Sequence, residues 1–131
     1  MTVRVFATKW FACYVRKHGL SDKDLCRAVT RAEKGSIDAE LGGNLIKQRV
    51  ARGGRGRSSG YRTLIAHRRA ECSVFLYGFA KNERESMDAR ELRNLRALAG
   101  HLLGFDDSEI RRALAAGELT ELYEGDEEEN G

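Results

Sequence analysis

The spacing of the apolar residues changes twice along this 131-residue chain, and these changes restrict its fold more than any other feature. Between Leu45 and Phe79 the apolar residues fall in short runs with the period-two spacing that is typical of β-strands. Before Gly43 and after Lys81 they recur every three or four residues, as they do on one face of a helix. The chain therefore predicts helices on both sides of a central block of strands.

Local signals set the ends of these elements. Val3 to Phe6 is a short β-type run, and Thr8 follows it in the position of a helix N-cap. A first helix is predicted from there to about His18, and a second from a capping box at Ser21 to Gly35. Strands are predicted at 45–50, 61–69 and 72–79, the last two joined by a short reversal as an antiparallel hairpin. Two further helices are predicted, one with Leu92, Leu95 and Leu102 on a single face and a shorter one over 108–116.

The central block is strongly basic. From Asn44 to Arg69 the chain has no Asp or Glu, and it carries eight basic residues: Lys47, Arg49, Arg52, Arg55, Arg57, Arg62, Arg68 and Arg69. Charges built into strands have a fixed spacing, which is how proteins hold a phosphate backbone in register. We therefore expect nucleic acid as the partner.

The acidic residues are concentrated at the other end of the chain. Seven of them fall between Glu118 and Glu129, and no basic residue follows Arg112. The formal net charge of +3 is thus the average of two opposed blocks. We expect residues 124–131 to be disordered. This acidic tail is either a solvated segment or a competitor that folds back over the basic groove, and the composition leaves both open.

Other features exclude several classes of protein. No run approaches the roughly 18 to 20 apolar residues that span a bilayer, and the N-terminus has no signal-peptide pattern, so we predict a cytoplasmic protein without a membrane partner. Cys13, Cys26 and Cys72 are odd in number and never form a CxxC pair, which argues against disulfides and a zinc site. We expect all three cysteines in the core, together with Trp10 and the neighbouring aromatic residues of the first helix.

The loop over 51–60 has the outline of a phosphate-binding loop but does not meet the motif. In ARGGRGRS, Ala51 stands where a Walker loop has its first glycine and Arg57 where it has lysine, and a strand follows where a helix is required. The glycine spacing also misses the dinucleotide fingerprint. We interpret the segment as a flexible hairpin loop whose arginines grip a single strand electrostatically.

Two segments of this block carry a family resemblance. SGYRTLIAHRR, followed after a turn by CSVFLYGFAKNERE, is similar to the RelE/HigB toxins of bacterial type II toxin–antitoxin systems, in particular the branch with YRTL and FLYGFAKNE motifs. The resemblance covers about residues 3–103. It implies an α+β, RelE-like fold in which an N-terminal strand and a helical hairpin pack on a twisted antiparallel sheet. We place this domain at 1–104, a C-terminal helical extension at 105–123 and the disordered tail at 124–131.

The resemblance also implies an activity. Members of that family are cytoplasmic ribonucleases that enter the ribosomal A site, cut mRNA and are held inactive by a cognate antitoxin. The implied partners are therefore mRNA and an antitoxin, with operator DNA bound only through the toxin–antitoxin complex. Cleavage of RNA by its own 2′-hydroxyl needs a base, positive charge at the phosphate and an acid for the departing 5′-oxygen, but no metal or cofactor.

Five residues are candidates for this chemistry. Arg62 matches the motif arginine and is assigned to phosphate stabilisation, because a guanidinium stays charged and offers a planar fork of donors. Lys81 is the candidate acid or base, since neighbouring arginines should lower its pKa. Glu83 is assigned either to orienting Lys81 or to accepting the 2′-hydroxyl proton. His67 and Tyr77 are secondary candidates, for which a packing role is the alternative.

The basic residues outside this group are predicted to contact RNA. Lys47 and Arg49 match basic positions on the family's first sheet strand and should clamp flanking phosphates, and the further predicted contacts are Arg52, Arg55, Arg57, Arg68, Arg69 and Arg84. The better-known RelE branch has an arginine where Asn82 stands and a tyrosine about where Asp88 stands, so those two roles are unassigned. Two alternatives stay open: a non-catalytic nucleic-acid-binding form acting in operator autoregulation, and a ParE-like toxin with a protein target.

Overall fold

A computed structural model describes residues 3–51, 60–80, 83 and 87–124 of the chain. These residues form one six-stranded sheet with helices packed on both faces, which confirms the predicted α+β class. The strands are β1 (Arg4–Thr8), β2 (Ala39–Glu40), β3 (Leu45–Val50), β4 (Tyr61–Arg68), β5 (Cys72–Ala80) and β6 (Leu119–Leu122). The helices are α1 (Lys9–His18), α2 (Asp22–Glu33), α3 (Ala89–Leu103) and α4 (Asp107–Ala115).

The sheet has the order β2-β3-β4-β5-β1-β6. Its centre is the predicted antiparallel arrangement of β3, β4 and β5, and β1 joins the outer side of β5 in parallel. Arg62 on β4 lies opposite Arg49 on β3 and opposite Phe79 on β5. This register decides which side chains share a face, because residues directly opposite each other in an antiparallel pair point to the same side.

Helices α1 and α2 begin at the predicted caps and pack on one face of the sheet. The Thr8 hydroxyl accepts a hydrogen bond from the backbone of Phe11, and Ser21 and Asp24 form a reciprocal capping box. We call this side of the sheet the α2 face, whose core contains Phe11, Leu25, Val29, Ile65 and Phe75. The prediction that the first two helices pack against the sheet is confirmed.

Helices α3 and α4 pack on the opposite side, which we call the α3 face. Its core contains Leu64, Val74 and Phe79 of the sheet, together with Ala99, Leu103 and Ala113 of the helices. The sheet thus buries apolar side chains on both sides, and its polar residues reach solvent only where a helix does not cover the strand.

The chain beyond α4 differs from the prediction. We predicted a helical extension to residue 123, but Leu119–Leu122 is a strand that pairs antiparallel with β1. Leu119 and Leu122 are buried, and the Arg4 guanidinium donates two hydrogen bonds of 2.9 Å to the carboxylate of Glu121. A four-residue strand is too short to show a period in the sequence, and long-range pairing with β1 stabilises it instead.

The prediction of core positions in α1 was wrong for two residues. Trp10 is 47% exposed, and Cys13 is exposed as well. Trp10 and Phe11 point about 100° apart on α1, and Phe11, which is fully buried, is the one of the two that faces the core. Cys26 is buried as predicted, and Cys72 is partly buried. All three cysteines are free.

None of the helices among the described residues has both the length and the apolar character to cross a bilayer. In the same part of the chain, no three His, Cys, Asp or Glu residues are grouped in a way that could hold a metal ion.

Candidate nucleic-acid interface

Three of the predicted basic residues lie on the α3 face. Lys47 lies opposite Leu64, a residue of the core under α3, and Arg49 lies opposite Arg62. Because residues two apart on a strand share a face, Lys47, Arg49 and Arg62 all project from this side of the sheet. The two strands therefore present three cations as a small group on one face of the sheet.

Arg62 is the most enclosed of the three cations. Its side chain is partly buried, and its Nη1 is shielded from solvent and makes no hydrogen bond with any described residue. On β5 its neighbour is Phe79, which is only 2% exposed. A guanidinium keeps its charge in such a setting, and a buried donor without a partner is costly, so this group favours an anionic partner.

Arg49 is held at the edge of this group by a carboxylate that the sequence analysis did not single out. The Asp38 carboxylate accepts a hydrogen bond of 2.7 Å from the backbone N–H of Arg49 and lies 3.8 Å from its Nε. The same carboxylate lies 3.9 Å from Nη1 of Arg31, whose Nη2 donates to the carbonyl of Arg49. Asp38 thus fixes the backbone of β3, a link between distant elements that leaves no mark in the sequence.

Tyr77 lies on the same face as these cations. It is opposite Leu64, one strand further from Lys47, and it packs against the core under α3. Its ring is partly exposed and stacks on Trp10, with 4.5 Å between the ring centroids. The structure therefore brings Tyr77 near the basic group, together with Trp10, a residue that we had assigned to the core.

Glu83 closes the end of β5. Its carboxylate accepts a hydrogen bond of 2.7 Å from the backbone N–H of Ala80 and one of 3.3 Å from the hydroxyl of Tyr14. Burial raises the pKa of Tyr14 far above its ordinary value, and the negative charge of Glu83 adds to the increase. The tyrosine therefore stays protonated and remains a donor to Glu83. The sequence analysis missed this role of Tyr14.

His67 is separated from the cationic group. It lies five positions from Arg62 on β4, so it points to the α2 face at a distance of about 16 Å along the strand. Its Nδ1 is 2.7 Å from the Ser73 hydroxyl, and its Nε2 is 3.6 Å from a Glu33 oxygen. Ser–His–Glu is also the order of a hydrolase triad, but Ser73 is fully buried and a substrate cannot reach it. The packing alternative is therefore favoured for His67.

The remaining predicted residues do not join this group. Arg68 lies at the other end of β4, where its Nη1 donates to the carbonyl of Leu103 and lies 3.7 Å from Glu71. Arg69 is exposed in the turn that follows. The other predicted site residues lie outside the described part of the chain: Arg52, Arg55, Arg57, Lys81 and Arg84.

A family model described as the RelE toxin of the RelE/RelB toxin–antitoxin system matches residues 3–122 of the chain. The match therefore includes β6, beyond the boundary that we predicted at residue 104. No curated protein gives a significant match to the chain.

Proposed function

This chain belongs to the RelE family of toxins from toxin–antitoxin systems, and on that premise we propose that it cuts mRNA in the ribosomal A site without a metal ion and so inhibits translation. Membership of the family also gives the protein an antitoxin as its partner.

The observation that carries the proposal is the environment of Arg62. Its guanidinium is partly buried beside Phe79, with one nitrogen that no described residue satisfies. Lys47 and Arg49 on the neighbouring strand extend the positive charge. Adjacent strands lie about 4.8 Å apart, so these cations can contact consecutive groups of one RNA backbone.

The chemistry requires charge stabilisation at the phosphate. When the 2′-oxygen attacks phosphorus, a bond to the 2′-oxygen forms, the bond to the 5′-oxygen breaks, and a 2′,3′-cyclic phosphate remains. Negative charge builds up on the non-bridging oxygens in between, and we assign Arg62 to these oxygens. A preorganised donor in a partly desolvated site stabilises such charge more strongly than water does.

Proton transfer is assigned to the end of β5. Lys81, which lies outside the described residues, is the proposed acid or base. The hydrogen bonds from Ala80 and Tyr14 both end on Oε1 of Glu83 and hold its carboxylate at the end of β5, and we assign Glu83 to positioning this segment. Tyr77 is proposed as an RNA-contacting residue on the same face as Arg62.

The test is a substitution of Arg62 combined with mapping of mRNA ends. We expect Arg62→Ala to lower cleavage in induced cells by about 100-fold or more, because one transition-state donor is lost. Arg62→Lys should restore only part of the activity, since lysine keeps the charge but not the planar fork. Arg112→Ala is the matched control, because this exposed arginine bonds to Ser108 on α4 and its loss changes the net charge equally.

The outcome decides between the three functions considered for the sequence. In-frame cuts that disappear in Arg62→Ala and persist in Arg112→Ala support the nuclease, provided that both variants unfold at the same temperature as the wild type. Cuts of undiminished strength in Arg62→Ala refute the assigned mechanism. Intact mRNA with blocked DNA replication indicates a protein target, and intact mRNA with normal growth indicates a non-catalytic protein.

A further inference from the structure

Trp10 lies at an open edge of the sheet. The pairing of β1 with β5 extends only to Ala7 and Phe75, and the Thr8 hydroxyl is 3.5 Å from the carbonyl of Leu76. Among the described residues, β5 from Tyr77 onward has no strand on this side, and the first turn of α1 lies there instead. Trp10 is in that turn, and its ring reaches around the edge to Tyr77.

The rings at this edge are nearly parallel. Trp10 stacks on Tyr77 with an interplanar angle of 22°, and on Tyr14 with 5.3 Å between centroids and an angle of 12°. We call Trp10 and Tyr77 the aromatic pair. If Trp10 only covered the sheet edge, the residue would be mostly enclosed, yet 47% of it is exposed, and Tyr77 is partly exposed as well. Part of the aromatic pair is therefore accessible to a ligand.

The charges around the aromatic pair favour a polyanion. Helix α1 carries Lys9, Arg16 and Lys17 and has no acidic residue. On the other side, Tyr77 and Lys47 lie opposite the same residue, Leu64, from the two strands that flank β4. Arg62 is two residues from Leu64 on β4 and shares its face. Aromatic rings beside a basic groove are the combination with which proteins bind single-stranded nucleic acid, since every base has a face that can stack.

We propose that Trp10 is a base-stacking residue: a nucleobase next to the scissile phosphate stacks on the aromatic pair while Arg62 holds that phosphate. This inference rests on the proposed function for the identity of the ligand as RNA. Stacking fixes the position of the nucleotide without reading its sequence, and it places the attacked phosphate in register with Arg62.

Trp10 is the single tryptophan of the chain, so its fluorescence reports directly on this contact. We expect a short single-stranded RNA with 2′-O-methyl groups, which cannot be cut through its own 2′-hydroxyl, to quench the fluorescence of the full-length protein saturably. In parallel, the anisotropy of a labelled RNA gives the affinity. Trp10→Leu should bind about tenfold more weakly, because it covers the edge without a π-face, and Trp10→Phe should restore most of the affinity.

Tyr123→Leu is the matched control. Tyr123 is another exposed aromatic residue, 66% exposed, but it lies beside Glu121 at the far edge of the sheet. We expect this variant to bind RNA like the wild type. A weaker affinity in Tyr123→Leu equal to that in Trp10→Leu would overturn the proposal, because the effect would then not be specific to the aromatic pair.

A scan with abasic nucleotides tests the contact without changing the protein. An abasic site at one position of the RNA should weaken binding to the wild type about tenfold and should have no further effect on Trp10→Leu. An RNA that binds equally well with an abasic site at every position would overturn the proposal, whether or not Trp10→Leu folds. So would an unchanged RNA affinity of Trp10→Leu with weaker binding of the antitoxin, which would assign the aromatic pair to a protein partner.

The two proposals fail in different ways. If mRNA is cut in cells but RNA neither quenches Trp10 nor depends on it, the stacking contact is refuted and the nuclease stands. If RNA quenches Trp10 and the abasic scan identifies one base, but no mRNA is cut, the nuclease is refuted and Trp10 remains an RNA-binding residue.

Discussion

Arg62 and His67 lie on the same strand, and each has a buried side-chain nitrogen without a hydrogen bond from the described residues. The consequence of burial differs because the two groups titrate differently. Burial lowers the pKa of His67, which can lose its proton and become neutral. A guanidinium, by contrast, keeps its charge when it is partly buried. Burial therefore leaves His67 as a neutral packing residue and Arg62 as a cation suited to an anionic partner.

The low pKa of His67 predicts a pH dependence of stability. Burial is the main cause of the decrease, the negative charge of Glu33 opposes it and Arg69 adds to it. Because the unfolded chain binds this proton more readily, the contribution of His67 is complete above its unfolded pKa of about 6.5 and is lost as the pH falls toward the folded pKa. We expect the free energy of unfolding to fall between pH 7 and pH 5, with a smaller slope in His67→Asn, measured by urea denaturation.

Asn is chosen because its side-chain amide lies near the position of Nδ1 and can keep the hydrogen bond to Ser73. Groups far from this position are the same in both proteins, so the difference between the two slopes reports on His67 and its ion-pair partner Glu33. Identical slopes would contradict the assignment of this pH dependence to His67. A steeper slope in His67→Asn would mean that folding raises the pKa of His67 instead of lowering it.

At the scale of elements, the sequence was informative where local interactions decide the structure. The caps at Thr8 and Ser21 and the turn after β4 involve residues at most a few positions apart, so they could be recognised. Strands β2 and β6 could not, because two and four residues form strands only by pairing with distant ones. The exposure of Trp10 likewise depends on where β1 stops along β5.

The candidate site shows the same limit. The basic group on the α3 face follows from two features: side chains alternate between the faces along each strand, and β3 pairs antiparallel with β4. Both features can be inferred from the sequence, and they place Lys47, Arg49 and Arg62 on one face. His67 is not part of this basic group, because it lies five residues from Arg62 on β4 and therefore points to the opposite face of the sheet. The roles of Asp38 and Tyr14 depend on tertiary contacts, and the sequence contains no signal for them.

We predict that alanine has opposite effects on the free energy of unfolding at two glycines, one at the end of a helix and one inside a helix. Gly19 ends α1 with φ of 69°, and Gly100 lies inside α3; a Cβ at either position would meet no atom within 4 Å. Gly19→Ala should lower the free energy of unfolding by about 1 kcal/mol, because only its backbone conformation is disfavoured. Gly100→Ala should raise it by about 0.8 kcal/mol, since alanine has the higher helix propensity. Thermal unfolding of both variants checks this pair, and changes of the same sign would contradict it.

At the scale of the whole molecule, the sheet order separates the two charged blocks. The basic strand β3 and the strand β6, which precedes the acidic tail, are four positions apart in the sheet, about 19 Å. That distance exceeds the Debye length of about 8 Å at physiological salt, so Glu121 on β6 has little effect on Lys47. The tail begins elsewhere, however. Glu124 and Ala51 line one groove beside α2, and in the sequence Ala51 directly precedes the segment that contains Arg52, Arg55 and Arg57.

The residues that precede the acidic tail and the arginine-rich segment, Glu124 and Ala51, thus lie at the same groove. We therefore predict that the tail weakens RNA binding. Replacing Asp126 by Asn and Glu127, Glu128 and Glu129 by Gln removes four carboxylates and raises the formal net charge from +3 to +7. We expect this variant to bind single-stranded RNA several-fold more tightly at 50 mM salt, with a smaller gain at 200 mM because salt screens the charges. Deletion of residues 125–131 is the comparison, since it removes the same charges and the chain as well. Equal gains in the two variants assign the effect to charge, whereas a gain in the deletion alone would contradict the electrostatic explanation.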